Sequence, residues 1–92
     1  MKFSADFMMR FTLLNLRLPL GRLGIFSGKE ICKILQKHGF KEVRRRGSHI
    51  VLQKSAKDGK ITVPVPDHPQ VRTGTLSGII RQSGIPRTEF EA

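Results

Sequence analysis

The chain has 92 residues, 38% of them apolar, which suits one small domain with a thin core and argues against global disorder. Lys and Arg number 17 against 7 Asp and Glu, a formal charge of +10, so the first partner to consider is a polyanion, nucleic acid ahead of an anionic membrane or an acidic protein. Cys32 is the only cysteine, which excludes an internal disulfide and fits a reducing cytoplasm, and the lack of Trp and Tyr disfavours an aromatic platform for single strands.

Residues 1–26 are rich in Leu and Phe, but Lys2, Arg10, Arg17 and Arg22 interrupt every apolar run, so no spanning helix and no clear secretory signal is expected. Asn15 to Leu20 alternates polar and apolar residues, and Pro19 limits it to an edge strand. The segment reads as a poorly ordered or loosely packed N-terminal extension. The domain proper is expected over residues 27–92.

From Ser27 onward the local signals agree. Ser27-Gly28-Lys29-Glu30 has the pattern of a capping box, and Ile31, Ile34 and Leu35 then share one helical face. Gly39 closes this helix, with Lys37 and His38 at the negative end of its dipole. Phe40 to Arg46 reads as a first strand, and Gly47-Ser48 as a turn. His49 to Lys54 reads as a second strand, with Ile50 and Leu52 facing one way and His49, Val51 and Gln53 the other. Ser55 to Gly59 is expected as a polar loop and Lys60 to Val65 as a third strand, ended by Pro64 and Pro66. Pro66 to Thr73 reads as irregular, Thr75 to Ser83 as a second helix ended by Gly84, and Phe90 as a residue packing back on the core. Each helix has one apolar face. The fold class is therefore α+β, an α-β-β-β-α sandwich with a three-stranded antiparallel sheet and both helices on one face, the other face being left to water or a ligand.

The cations gather around the first hairpin: Lys41, Arg44, Arg45, Arg46, Lys54, Lys57 and Lys60, opposed only by Glu42 and Asp58. Such a run is either a solvated face or a set of phosphate contacts, which supply affinity and position but not sequence choice. His49 opens the second strand inside this run. Histidine is the side chain suited to give and take protons near physiological pH, as metal-free RNA cleavage requires, and neighbouring cations can stabilise the charge that develops on phosphorus. Gly47 allows close approach of a phosphate to the backbone, and Ser48 offers a hydrogen-bond donor. A lone histidine is also commonly structural, and that reading stays open at this point. His38 reads as a helix-end residue, Cys32 as a core or boundary residue, and His68, in Asp67-His68-Pro69, as either an exposed loop residue or a second acid or base. No Gly-rich phosphate loop, carboxylate pair, nucleophilic triad or metal-ligand spacing is visible, so neither a cofactor nor a metal is called for.

The string from Ser27 to Phe90 resembles the HicA, or YcfA-like, toxin family. The matching pieces are Gly28-Lys29-Glu30 with Ile34-Leu35, His38-Gly39-Phe40, Arg46-Gly47-Ser48-His49, Val63-Pro64 with His68, and Gly74-Thr75-Leu76 running to Ile79-Ile80-Arg81-Gln82-Ser83-Gly84-Ile85. The resemblance implies a fold like the double-stranded-RNA-binding domain, cleavage of mRNA by a cytoplasmic endoribonuclease, and a HicB-like antitoxin that covers the active site. It also makes His49, which follows Gly-Ser, the catalytic histidine. Residues 1–26 have no counterpart in the usual short member, and Ile50-Val51-Leu52-Gln53 lacks the aromatic often found there. The rival reading is a non-catalytic basic RNA-binding module. Duplex-RNA binders on this topology usually carry lysines at the start of the second helix, whereas Gly74-Thr75-Leu76-Ser77 is uncharged.

Overall fold

The computed structural model describes residues 22–92. Helix α1 (Gly28–Lys37) is followed by strands β1 (Lys41–Arg46), β2 (His49–Ala56) and β3 (Gly59–Pro66), helix α2 (Thr73–Ser83) and a 3-10 turn at Arg87–Phe90. The strands form one antiparallel sheet with β2 in the centre. This is the expected α+β arrangement, α-β-β-β-α.

Local chemistry fixes both ends of α1. The Ser27 hydroxyl accepts from the Glu30 amide at 3.1 Å, and the Ser27 amide donates to the Glu30 carboxylate at 2.9 Å, so the capping box is complete. At the other end Gly39 takes φ +94. The Gly39 amide donates to the Gln36 carbonyl at 3.1 Å, and the Phe40 amide to the Leu35 carbonyl at 3.1 Å. These are the paired bonds of a Schellman motif, and they turn the chain directly into β1. Helix α2 stops at Gly84, whose φ of +75 ends the helical run.

The register sets the two faces of the sheet. Ile50 lies opposite Val65, and Leu52 opposite Val63, and all four side chains are buried. They pack with Ile31 and Leu35 of α1, Leu76 and Ile79 of α2, Phe40 and Phe90 in a single core. Both helices therefore cover the same sheet face. The opposite face carries Arg46 paired with His49, Arg44 with Val51, and Lys41 with Gln53. A β-bulge at Val43, between Glu42 and Arg44, is what brings Lys41 onto that face with the two arginines.

Helix α2 begins at Thr73, two residues before the expected Thr75, and β1 at Lys41, one after Phe40; three further departures from the sequence reading bear on the sheet and the core. The loop expected over Ser55 to Gly59 shrinks to Lys57-Asp58, because Ser55 and Ala56 still pair with Lys60 and Gly59. The third strand runs through Pro64 to Pro66. It is an edge strand, where a proline can turn its donor-less nitrogen away from β2. Residues 22–26, included in the loosely packed extension, are docked. Leu23 bridges Glu91, the Gly24 amide donates to the Phe90 carbonyl at 2.8 Å, and the Phe26 ring meets Phe90 edge-on at 6.1 Å. The stretch from Asn15 to Leu20, read as an edge strand at best, lies outside the described residues.

Candidate functional site

The two-residue turn Gly47-Ser48 delivers His49 to the rim of the open face. Gly47 sits at φ +59, a conformation that favours glycine, and no atom lies within 4 Å of where its Cβ would stand. The glycine is required by the backbone angle, and the space beside it is open. The turn is held from below: the Asp67 amide donates to the Ser48 carbonyl at 2.7 Å, and the Gly28 amide to the His68 carbonyl at 2.9 Å. A Cβ at Gly28 would stand 2.0 Å from the Pro66 carbonyl oxygen. The first residue of α1 is thus pressed against the end of β3, and the loop after β3 ties the helix terminus to the His49 turn.

His49 is exposed, while Ile50 and Leu52 are buried beneath the helices. With Arg44, Arg46, Val51, Thr62 and Pro64 it lines a hollow of about 450 Å³ on the open face. Val51 forms an apolar floor, only 4% exposed although it lies outside the helix-side core. Among the described residues no carboxylate pairs with Arg44 or Arg46. The hollow therefore combines an imidazole, two cations and an apolar base, a chemistry suited to a phosphodiester with an attached nucleoside.

The other candidate residues divide. Arg45 alternates to the helix side of β1, opposite Ile50, and its guanidinium donates to the Asp67 carboxylate at 3.0 Å. Lys41, Lys54 and Lys60 gather around a second hollow. His68 is exposed in the loop after β3, and it does not line the His49 hollow. His38 caps α1, with its ring Nδ1 3.1 Å from the Ile34 carbonyl and Nε2 4.0 Å from Glu89. Cys32 is buried in the core. Burial, reinforced by the Glu42 and Asp67 carboxylates and opposed by Arg45, pushes its thiol up to about 11, which makes it a poor nucleophile. Among the described residues no group of three or more His, Cys, Asp or Glu side chains could hold a metal ion.

Val51, Thr62 and Pro64 were not singled out as site residues from the sequence. Val51 follows His49 by the two-residue period, but Thr62 and Pro64 reach the site only through the β2–β3 register, which local pattern does not specify.

An α-β-β-β-α domain with one covered sheet face and one open, basic, histidine-bearing face is a small α+β protein of the double-stranded-RNA-binding-domain type. A family model described as the HicA toxin of bacterial toxin-antitoxin matches residues 28–85, from the first residue of α1 to just past α2, and the chain belongs to that family. Membership of a toxin-antitoxin family implies an antitoxin partner. A comparison with curated proteins finds no match. Among the described residues no helix is long and apolar enough to cross a membrane.

Proposed function

We propose that this protein is a metal-independent endoribonuclease that cuts mRNA in the cytoplasm, with His49 as its acid-base residue and a HicB-like antitoxin as the partner that restrains it. The observation that carries this reading is the exposed His49 beside Arg44 and Arg46, over the Val51 floor, on the sheet face that the helices leave open. In the reaction the ribose 2′-hydroxyl loses its proton to a base and attacks phosphorus. The bond to the 5′-oxygen breaks, and that oxygen takes a proton from an acid, leaving a cyclic phosphate and a free 5′-hydroxyl. His49 carries one of these proton transfers, and Arg44 and Arg46 hold the non-bridging oxygens as negative charge builds. Gly47 keeps the turn clear for the phosphate, and Ser48 donates to it. His68 is the candidate for the other transfer, because its loop is anchored to the same turn.

The test is cleavage of a labelled single-stranded transcript by purified protein. His49→Ala should slow cutting by about 10²–10⁴-fold, the usual contribution of a placed acid or base, while RNA retention stays near wild type. Chelation with EDTA should change nothing. Wild-type cutting by His49→Ala, or arrest by EDTA, would defeat the mechanism, and retention without cutting by the wild type would favour a binding module.

A further inference from the structure

Strand β1 begins opposite Gln53, so the β2–β3 hairpin projects past it and leaves Ser55 without a partner on the β1 side. The corner so formed is a notch of about 390 Å³. One lysine reaches it from each strand: Lys41 from β1, Lys54 from β2 and Lys60 from β3. Among the described residues no carboxylate pairs with any of them. Lys54 comes to it from the helix side of the pleat, and Lys41 and Lys60 from the open side; like charges around one notch repel one another, and an anion there relieves that repulsion. Lys54 is already ordered. Its Cε would lie 3.4 Å from a Cβ on Gly39, and its ammonium stands 5.7 Å from the centre of the Phe40 ring. That side chain gives up its freedom on folding and not on binding.

We infer that this notch is a second phosphate site, which takes the backbone of the RNA chain several nucleotides away from the bond at His49. The inference rests on the proposed function, and its position on the sheet supports it. His49 and Ser55 are six residues apart on β2, a span of about 20 Å along the open face. No residue lines both hollows, but Gln53 of the notch donates to Thr62 of the His49 hollow at 3.3 Å, so the two abut. The notch offers point charges and no exposed aromatic, since Phe40 is buried. It is built to hold phosphate and not to stack a base. The protein then grips an extended single strand at two places and cuts at one.

The test measures binding, so that it is independent of cleavage. Non-cleavable 2′-O-methyl RNA oligonucleotides of two to ten nucleotides are titrated by fluorescence anisotropy against wild type and a Lys41→Ala/Lys54→Met/Lys60→Ala variant. Methionine keeps an apolar stem on Gly39 and Phe40, and a thermal melt checks the fold. The wild type should gain affinity in a step once the chain is long enough to reach the notch. The variant should lack that step while binding the dinucleotide like wild type. Its salt slope on the longest oligonucleotide should fall by about 2, and its affinity by about a hundredfold at 0.1 M salt, as expected for about 0.7 counterions released per contact on a single strand. A step that survives in the variant overturns the inference, as does equal weakening at every length or wild-type protein that binds no RNA. So does an acidic polyglutamate peptide that requires the three lysines while the RNA step does not, which would assign the notch to a protein partner. Length-dependent binding without any cutting would uphold the notch and refute the nuclease reading.

Discussion

The contact between α1 and the end of β3 makes the sign of a glycine substitution predictable. Alanine is the better helix former by about 0.8–1.0 kcal/mol, so propensity alone expects Gly28→Ala to stabilise. The structure expects the reverse. The new methyl would lie 2.0 Å from the Pro66 carbonyl oxygen, 2.9 Å from the Asp67 Cα and 3.0 Å from the Pro66 carbonyl carbon. The nearest of these falls short of an ordinary 3.4 Å contact by about 1.4 Å, and all three are backbone atoms that no rotamer change can move. Such overpacking typically costs about 1–3 kcal/mol. Weakening the Gly28–His68 hydrogen bond adds about 0.5–1.5 kcal/mol. Against the propensity gain, the net loss is about 0.5–3.5 kcal/mol, a fall in Tm on the order of 10 °C at the middle of that range for a domain of this size. Gly78→Ala in α2 is the matched control. Its methyl would meet only the Arg81 guanidinium at 4.0 Å, so it should stabilise by about 0.5–1 kcal/mol. Thermal denaturation followed by circular dichroism reads both. Gly28→Ala melting at or above wild type would refute the argument, because the β3 loop would then yield freely. If it does melt lower, its cleavage rate should also fall, since Asp67 and the Ser48 carbonyl move with that loop.

Three further outcomes are expected. Replacing Arg44 and Arg46 together with Ala should reduce the salt slope of single-stranded RNA binding by about 1.4, at 0.7 per contact, whereas Arg45→Ala should leave it nearly unchanged; equal effects would show that the faces are misassigned. A double-mutant cycle on Arg45 and Asp67 should return a coupling of about 0.2–1 kcal/mol, because the side chains are 47% and 24% exposed and water screens the pair; a value near zero would mean that the ion pair does not form in solution. At pH 8, with its thiol near 11 and not 9.0, native Cys32 holds about a hundredfold less thiolate, so iodoacetamide should label it far faster in urea than in buffer, and equal rates would contradict its burial. The neutral thiol favours the folded state in full below pH 9.0, and that contribution is lost as the pH rises toward about 11.

Much of the fold is legible because it is local. Ser27 and Glu30 announce a helix start three residues apart, and Gly39 its end. The alternation His49-Ile50-Val51-Leu52 assigns the faces of β2 before any partner strand is known. The residues that were misjudged depend on distant ones. Ser55 and Ala56 carry no apolar signal and are strand only because Lys60 and Gly59 pair with them. Pro64 looks like a terminator until β3 is known to be an edge. Leu23 and Phe26 belong with the core because Glu91 and Phe90 return from the far end of the chain to meet them. His49 stood out from its own neighbours in sequence, whereas Thr62 and Pro64 join it only through register, and Arg45 is parted from Arg44 and Arg46 by the pleat.

The bulge at Val43 acts as a phase shift in the charge pattern of β1. If Val43 took a regular place in the strand and did not bulge, strict alternation would put Glu42 beside Arg44 and Arg46 and turn Lys41 under the helices. The open face would lose one positive charge and gain one negative charge, and a carboxylate would stand on the path between the histidine hollow and the lysine notch. Phe40 would be turned outward as well, removing a ring that is 2% exposed from the core and the platform beneath Lys54. A single unpaired residue thus keeps a polyanion's route across the sheet free of acid, and at the same time keeps the aromatic anchor inside.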